Sequence, residues 1–300
     1  MTESSVPIRL PEPSPAQQAP SAAAIDALTE FIERHPRLFV LTGAGVSIAS
    51  GIPGYRDLKG EWMRAQPIEW KVFRDSEQAR RRYWARSMVG WPMVASAQPN
   101  AAHRALAHLG TIGRIAQLVT QNVDGLHQRA GSSNVVELHG SIDAVLCLDC
   151  GARHARAAIQ TQLLSDNPAL ADASAAVSAD GDAHLEWEAL DAFRVPACSS
   201  CGGLLKPDVV FFGENVPLQR VTAAAQALEE ADAMLVVGSS LMVFSGYRFC
   251  LWAQRAGTPI AAINIGLTRA DALFSLKVEA PCGDALAAVA ARLGSSVSYG

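Results

Sequence analysis

The sequence predicts an α/β chain: a doubly wound parallel sheet with a smaller domain inserted. Three observations carry this. Short apolar runs alternate with Ala- and Leu-rich helical stretches, the pattern of a parallel sheet covered on both faces. A glycine-rich turn, Gly43-Ala44-Gly45, directly follows the first apolar run. Two C-x-x-C pairs, Cys147/Cys150 and Cys198/Cys201, fall in a segment that breaks the alternation.

Each element follows in order. Residues 1–21 are rich in Pro, Ser and Gln and read as a disordered arm. A helix follows, with Ile25, Leu28, Phe31 and Ile32 at helical spacing, and ends before Pro36. Strands are expected at 38–41, 115–119, 135–136, 209–212, 234–237, 260–263 and 276–278, where continuous apolar runs suit burial on both faces. Helices are expected at 221–230 and 284–293. Residues 58–99 hold charged helical stretches and no strand run, and 141–204 hold the paired cysteines. The expected division is therefore a Rossmann-like domain over 22–57, 100–140 and 205–295, with 58–99 and 141–204 forming the small helical and zinc-binding domain. Within the latter, residues 166–184 are low in complexity and read as a mobile loop.

Composition narrows the function. At 49% apolar and 18% charged residues, the 300-residue chain has ample material for a buried sheet. A net charge of −4 gives no bulk attraction to a polyanion, so direct nucleic-acid binding is not expected. No apolar run is long enough for a membrane helix, and the first residues match neither a secretory signal nor an Arg-rich transit peptide. The expected location is cytoplasmic. In a reducing compartment, paired C-x-x-C units read as metal ligands before disulfides, and four thiolates suit one structural Zn²⁺.

Several motifs bear chemistry. Glycines where a strand meets a turn let the backbone approach a pyrophosphate, and a following helix N-terminus favours its charge. Ile48 stands where the third glycine of the dinucleotide fingerprint would be, so Gly43-x-Gly45 alone fits a tight turn as well as a cofactor loop. The loop runs on through Ser47, Gly51, Ile52, Pro53, Gly54, Tyr55 and Arg56, long enough to close over a ligand, with Arg56 offering charge to a phosphate or carboxylate. Asn122 and Asp124 follow the second strand and suit either a helix cap or a polar pocket. Gly238-Ser239-Ser240 follows another strand and suits a helix N-cap or a phosphate or ribose contact. Tyr83 and Arg86 share one helix face.

The stretch Gly43 to Asp57, together with Thr120-Gln121-Asn122-Val123-Asp124-Gly125-Leu126-His127, Glu137-Leu138-His139-Gly140-Ser141, Gly238-Ser239-Ser240 and Asn264-Ile265-Gly266, resembles the signatures of the sirtuin family, in family order across residues 25–290. Tyr83-Trp84-Ala85-Arg86, Cys147-Leu148-Asp149-Cys150, Lys206 to Glu214 and Ser245-Gly246-Tyr247-Arg248-Phe249 look like its class II and lipoamidase-type members. Tyr55 stands where many members carry Phe.

The resemblance implies an NAD-dependent protein-lysine deacylase. It would act on acyl-lysine proteins and release nicotinamide, free lysine and O-acyl-ADP-ribose. His139 would be the general base on the ribose hydroxyls, as an imidazole suits proton abstraction near neutral pH. Asn122 and Asp124 would line the nicotinamide pocket, and Gln121 would hold the ribose. Gly43, Ala44, Gly45, Ser47, Ile52, Pro53, Tyr55, Arg56, Gly238, Ser239, Ser240, Asn264, Ile265, Gly266 and Cys282 would complete the NAD site, with Cys282 a packing contact near the adenine. Val210, Phe211, Phe212, Gly213 and Glu214 would pair with substrate backbone. Tyr83 and Arg86 would read acidic acyl chains. His103 and His127 read as surface or packing residues. Two other readings stand beside this one: a mono-ADP-ribosyltransferase on the same scaffold, and a non-catalytic NAD-sensing module.

Overall fold

The computed structural model describes residues 19–63, 67–170 and 192–295. Of the N-terminal arm, residues 1–18 lie outside the described residues. Ser21 caps the first helix, α1 (Ala22–Arg34), its side chain accepting from the Ala24 N–H. Ile25, Leu28, Phe31 and Ile32 form its buried face.

The strands are β1 (Leu38–Thr42), β2 (Ile115–Thr120), β3 (Val135–Glu137), β4 (Gly140–Cys147), β5 (Arg153–Ala155), β6 (Leu205–Val209), β7 (Ala233–Val237), β8 (Ile260–Ile263) and β9 (Leu276–Val278). Six pair in parallel, in the order β3-β2-β1-β7-β8-β9. The order reverses direction between β1 and β7, and doubly wound sheets bind ligands at such a switch point. Alternate residues of one strand point to opposite faces, and both faces are covered. Leu38 and Val40 join Leu28, Leu106 and Leu286 on one side. Phe39 and Leu41 join Leu228 and Phe249 on the other. Full burial of each such side chain contributes roughly 1.5–3 kcal/mol, which is why the runs read as continuous rather than alternating.

The helices that follow α1 are α2 (Trp70–Asp75), α3 (Glu77–Ser96), α4 (Ala101–Thr111), α5 (Leu126–Arg129), α6 (Arg156–Asp166), α7 (Leu218–Glu229), α8 (Phe244–Ala256) and α9 (Cys282–Ser295). Helices α1, α4 and α9 cover the first face, and α7 and α8 the second. A second sheet, antiparallel in the order β5-β4-β6, packs with α2, α3 and α6 around Phe73, Trp84, Val145, Leu163 and Phe211. Pro92 inside α3 offers no N–H to the Met88 carbonyl. Gln160 of α6 supplies the missing donor at 2.7 Å, and the buried Arg156 donates to the Ser87 carbonyl at 3.0 Å. The gap in the hydrogen bonding of α3 thus becomes a helix-to-helix joint.

Two expectations change. The run at 209–212 is not a strand of the parallel sheet. β6 begins earlier, at Leu205, and lies at the edge of the small sheet, where Pro207 is tolerated because edge strands have an unpaired side. The ladder ends at Val209 because the next two N–H groups turn elsewhere, Val210 to the His139 carbonyl and Phe211 to the Glu214 carboxylate, each at 2.8 Å. In the low-complexity stretch, residues 166–170 form the end of α6 and a 3-10 turn; 171–184 lie outside the described residues.

Candidate active site and metal centre

A cavity of 760 Å³ opens at the carboxyl ends of β1, β2 and β7, where the strand order reverses. That volume lies in the range of cofactor and ligand sites. Its floor is made by two turns locked together. The Gly45 N–H donates to the Gly238 carbonyl at 2.8 Å, and a Cβ on Gly45 would sit 2.7 Å from that oxygen. Gly238 has φ +58°, and a Cβ there would lie 2.5 Å from the Val46 nitrogen. These positions therefore require glycine first because the two backbones touch. The α-helix expected after the first turn is absent. Two short 3-10 turns, Ala44–Val46 and Ile48–Ser50, take its place, because the chain must stay close to Gly238.

Polar side chains converge above this floor. Ser47 donates to Asp124 at 2.7 Å, and Asn122 donates to Ser47 at 3.0 Å and to the Gly43 carbonyl at 3.1 Å. Asp124 also accepts from the Leu126 N–H at 2.9 Å, at the first residue of α5, while lining the cavity; the cap position itself is Gly125. Burial raises its carboxyl pKa, against the pull of its hydrogen bonds from Leu126 and Ser47. Gln121 donates to Ser239 at 2.9 Å. Ser239 is not a helix cap: α8 starts later, and its cap residue, Val243, makes no side-chain bond.

His139 stands between β3 and β4. The next residue, Gly140, has φ +87°, and a Cβ there would overlap the Asp208 carbonyl at 1.9 Å. The imidazole Nδ1 is 2.9 Å from the Gln121 carbonyl, and Nε2 is 2.7 Å from Ser245 Oγ. A carbonyl only accepts, so Nδ1 carries the proton and Nε2 the lone pair. Burial lowers the pKa to about 4, with Arg220 and Arg248 adding to the effect and the Gln121 bond opposing it. The ring is neutral at neutral pH.

Of the other expected site residues, Gly43, Ala44, Ile52, Tyr55, Arg56, Ser240, Asn264, Ile265 and Cys282 line the cavity. So do Tyr83, Val210, Phe211, Phe212, Gly213 and Glu214. Pro53, Gly266 and Arg86 do not. Arg56 lies over the Trp62 ring at 4.0 Å and donates to the Gly60 carbonyl at 2.7 Å. Tyr55, Trp62 and Phe212 meet edge to face. Phe211 is buried among Phe73, Tyr83 and Trp70, and Glu214 pairs with the buried Lys206 at 3.0 Å. Burial pushes the Cys282 thiol up to about 12, consistent with packing rather than nucleophilic chemistry. His103 and His127 are fully buried, which removes the surface reading and keeps the packing one. Ser245, Arg248 and Trp62 were not expected as cavity residues. Ser245 and His139 are far apart in sequence, and only the sheet order brings them together.

Away from the cavity, the Sγ atoms of Cys147, Cys150, Cys198 and Cys201 all lie within 4.8 Å of one another. No disulfide joins them. The closest pairs are 3.5 and 3.8 Å apart. A tetrahedron of sulfurs about 2.3 Å from one zinc has edges of about 3.8 Å, so the set fits. N–H groups of Cys150, Ser200 and Gly203 point at three of the sulfurs, and His154 Nε2 lies 3.4 Å from Cys198 Sγ. All four ligand positions are protein thiols, the composition of a structural site.

The Sir2 family model matches residues 43–245. An NAD-dependent protein deacetylase of Xanthomonas campestris pv. campestris (strain 8004) is 59% identical over 261 residues, covering 87% of this chain and 89% of that protein. A solved Sir2 with a p53 peptide and NAD+ superposes with TM-score 0.71 at 28% identity, covering 91% of this chain and 98% of that one. A Sir2 variant with deacetylated p53 peptide and 3′-O-acetyl ADP ribose gives TM-score 0.74 at 29% identity, covering 90% and 98%. The matched region holds both glycine turns, the His139 strand end and all four cysteines, and the chain belongs to the Sir2 family.

Proposed function

We propose that the chain is an NAD-dependent protein-lysine deacylase that yields nicotinamide, free lysine and O-acyl-ADP-ribose. The observation that carries this is His139: a neutral imidazole in the cavity, its lone pair fixed on Nε2 by the Gln121 carbonyl. When bound, NAD supplies an electrophilic ribose carbon and nicotinamide as leaving group. His139 takes the proton of a ribose hydroxyl that replaces Ser245 Oγ at Nε2; until then Ser245 donates to that lone pair and holds the ring in register. Ser47, Asn122 and Asp124 form one hydrogen-bonded set that orients an amide and steadies positive charge next to it. Tyr55, Trp62 and Phe212 give that end of the cavity an aromatic wall that excludes water. Tyr83 and Phe211 wall the acyl end, and Gly213 and Asn215, both lining the cavity, take the substrate backbone. Arg86 stands outside the lining, so preference for an acidic acyl group does not rest on it. The Cys147, Cys150, Cys198 and Cys201 thiolates hold one structural zinc, which suits a reducing compartment, and the cytoplasm is where we place the reaction.

The test is mass spectrometry of nicotinamide and of lysine peptides across an acyl panel, for wild type and His139→Ala. Turnover of an acyl class, lowered about 10²-fold or more in the variant, is expected for removal of a general base. ADP-ribose appearing on protein without peptide turnover would overturn the reading.

A further inference from the structure

The cavity wall carries a cation for which the described protein residues provide no anion. Arg248, on α8, lines the cavity, and its guanidinium lies 5.3 Å from the Phe244 ring. Its Nε is buried without a hydrogen-bond partner, and among the described residues no carboxylate lies within ion-pair distance. The other arginine that bears on His139, Arg220, is neutralised by Asp208 at 3.1 Å. Phe244 itself is 54% exposed, so this aromatic stands at the mouth of the cavity rather than in its depth. A second guanidinium, Arg269, stacks on Tyr247 at 4.4 Å, lies 5.9 Å from Phe244 and donates only a long bond, 3.4 Å, to the Met242 carbonyl. It too has no carboxylate partner among the described residues. Two unneutralised guanidinia thus flank one exposed ring on a chain whose formal charge is −4. Such a patch is a local arrangement, not a consequence of bulk charge.

Half-buried guanidinium groups recover their lost hydration by binding carboxylates. We infer that Arg248, assisted by Arg269, binds an acidic side chain of the substrate polypeptide near the acyl-lysine. The position at the mouth decides between the two sources of a carboxylate. The acyl chain must pass inward toward Tyr83 and Phe211, whereas flanking residues of the polypeptide remain at the rim beside Phe244. A carboxylate at Arg248 also offsets a positive charge that acts on His139, which couples recognition to the base.

This inference rests on the deacylase reading, and its test separates the two. Acetyl-lysine peptides differing only by Glu or Gln at each of three positions on either side of the lysine are compared by kcat/KM at low ionic strength. For wild type, the best Glu position is expected to exceed Gln about fivefold or more, falling with added salt. The ratio drops toward one in Arg248→Gln and below one in Arg248→Glu, where like charges repel; Arg269→Gln reduces it in part. Each ratio is taken within one enzyme preparation, so loss of folded protein cancels. A wild-type ratio of one at every position would overturn the inference. So would a ratio that survives Arg248→Gln while the KM for NAD rises, which would assign the cation to a cofactor phosphate. A preference of wild type for succinyl- over acetyl-lysine that Arg248→Gln abolishes, with no flanking preference, would assign it to the acyl chain and overturn the inference equally. Failure of the deacylase reading looks different: no acyl peptide is turned over.

Discussion

His139 Nε2 lies 2.7 Å from Ser245 Oγ, and this contact holds the ring nitrogen that faces the substrate. The opposite nitrogen donates to the Gln121 carbonyl, so the Ser245 side carries the basic lone pair. Burial holds the pKa at about 4. A base works in its deprotonated form, so activity is present above that value and is lost as pH falls through it. We expect the acid limb of kcat/KM for formation of the deacylated peptide, the step that needs the base, to lie near pH 4, well below the ordinary histidine value of about 6.5. Ser245→Ala should lower kcat about tenfold with little change in peptide KM, since it loosens the base rather than a binding contact. A pH–rate profile with an acid limb at 6.5 would contradict this account.

The paired glycine turns lead to a stability prediction. In Gly238→Ala, the new methyl meets the Val46 nitrogen at 2.5 Å and the residue must hold φ +58°. Neither strain can be relieved by a side-chain rotation, because the neighbour is backbone. A loss of about 2–4 kcal/mol is expected from overpacking and left-handed strain together, with NAD affinity falling because the cavity floor moves. Denaturant unfolding and NAD titration check both. Gly51→Ala is the control: it also has positive φ, 84°, but nothing lies within 4 Å of a new Cβ, so about 1 kcal/mol is expected.

Much of this was legible in the sequence, for definite physical reasons. Strands buried on both faces leave unbroken apolar runs, and β1, β2, β7 and β8 were found within a residue or so. Two C-x-x-C pairs announce four thiols at one point. What stayed hidden is of another kind. β6 contains Lys206 and Pro207, so no apolar run marks it, and its tolerance for both depends on its edge position and on Glu214. The contact of Ser245 with His139, and the placing of Arg248 on the same cavity wall, depend on the order of strands, which periodicity does not contain. Tyr83 and Arg86 share a helix face in the sequence pattern, but only Tyr83 reaches the cavity lining.

The cysteine cluster ties metal to fold. Cys147 ends β4, Cys198 is buried in the small core, and β6 begins shortly after Cys201. Removing zinc leaves four close thiols without the charge that holds them together. Chelation should therefore loosen β4, β5 and β6, seen as faster amide exchange there, while the parallel sheet retains its protection. Cys198→Ser should mimic chelation and should reduce bound zinc by elemental analysis. Unchanged exchange after verified metal loss would count against a structural role.

His103 and His127 make a prediction about acid. Their ring centroids are 4.8 Å apart, and each ring keeps one nitrogen without a hydrogen bond. His127 Nε2 pairs with Thr42 Oγ1 at 2.9 Å, and Thr42 donates to Thr120, so the ring ties α5 to the ends of β1 and β2. His103 accepts from the Asn100 N–H and caps α4. Burial lowers His103 to about 4, with Arg104 and Arg129 adding to it, and lowers His127 to about 3, with His103 adding to it. Both are held neutral in the fold and take up protons on unfolding. Stability is then full above the unfolded value near 6.5 and is lost as pH falls from there toward 4 and 3. Both shifts have the same sign, so the two rings together destabilise the fold in acid. His127→Gln keeps a donor for Thr42 but cannot titrate. Its unfolding free energy should fall less steeply than that of wild type between pH 6.5 and 4, by about one proton. Equal slopes for the two proteins in urea melts across that range would show that the buried pair does not set the acid limit of the fold.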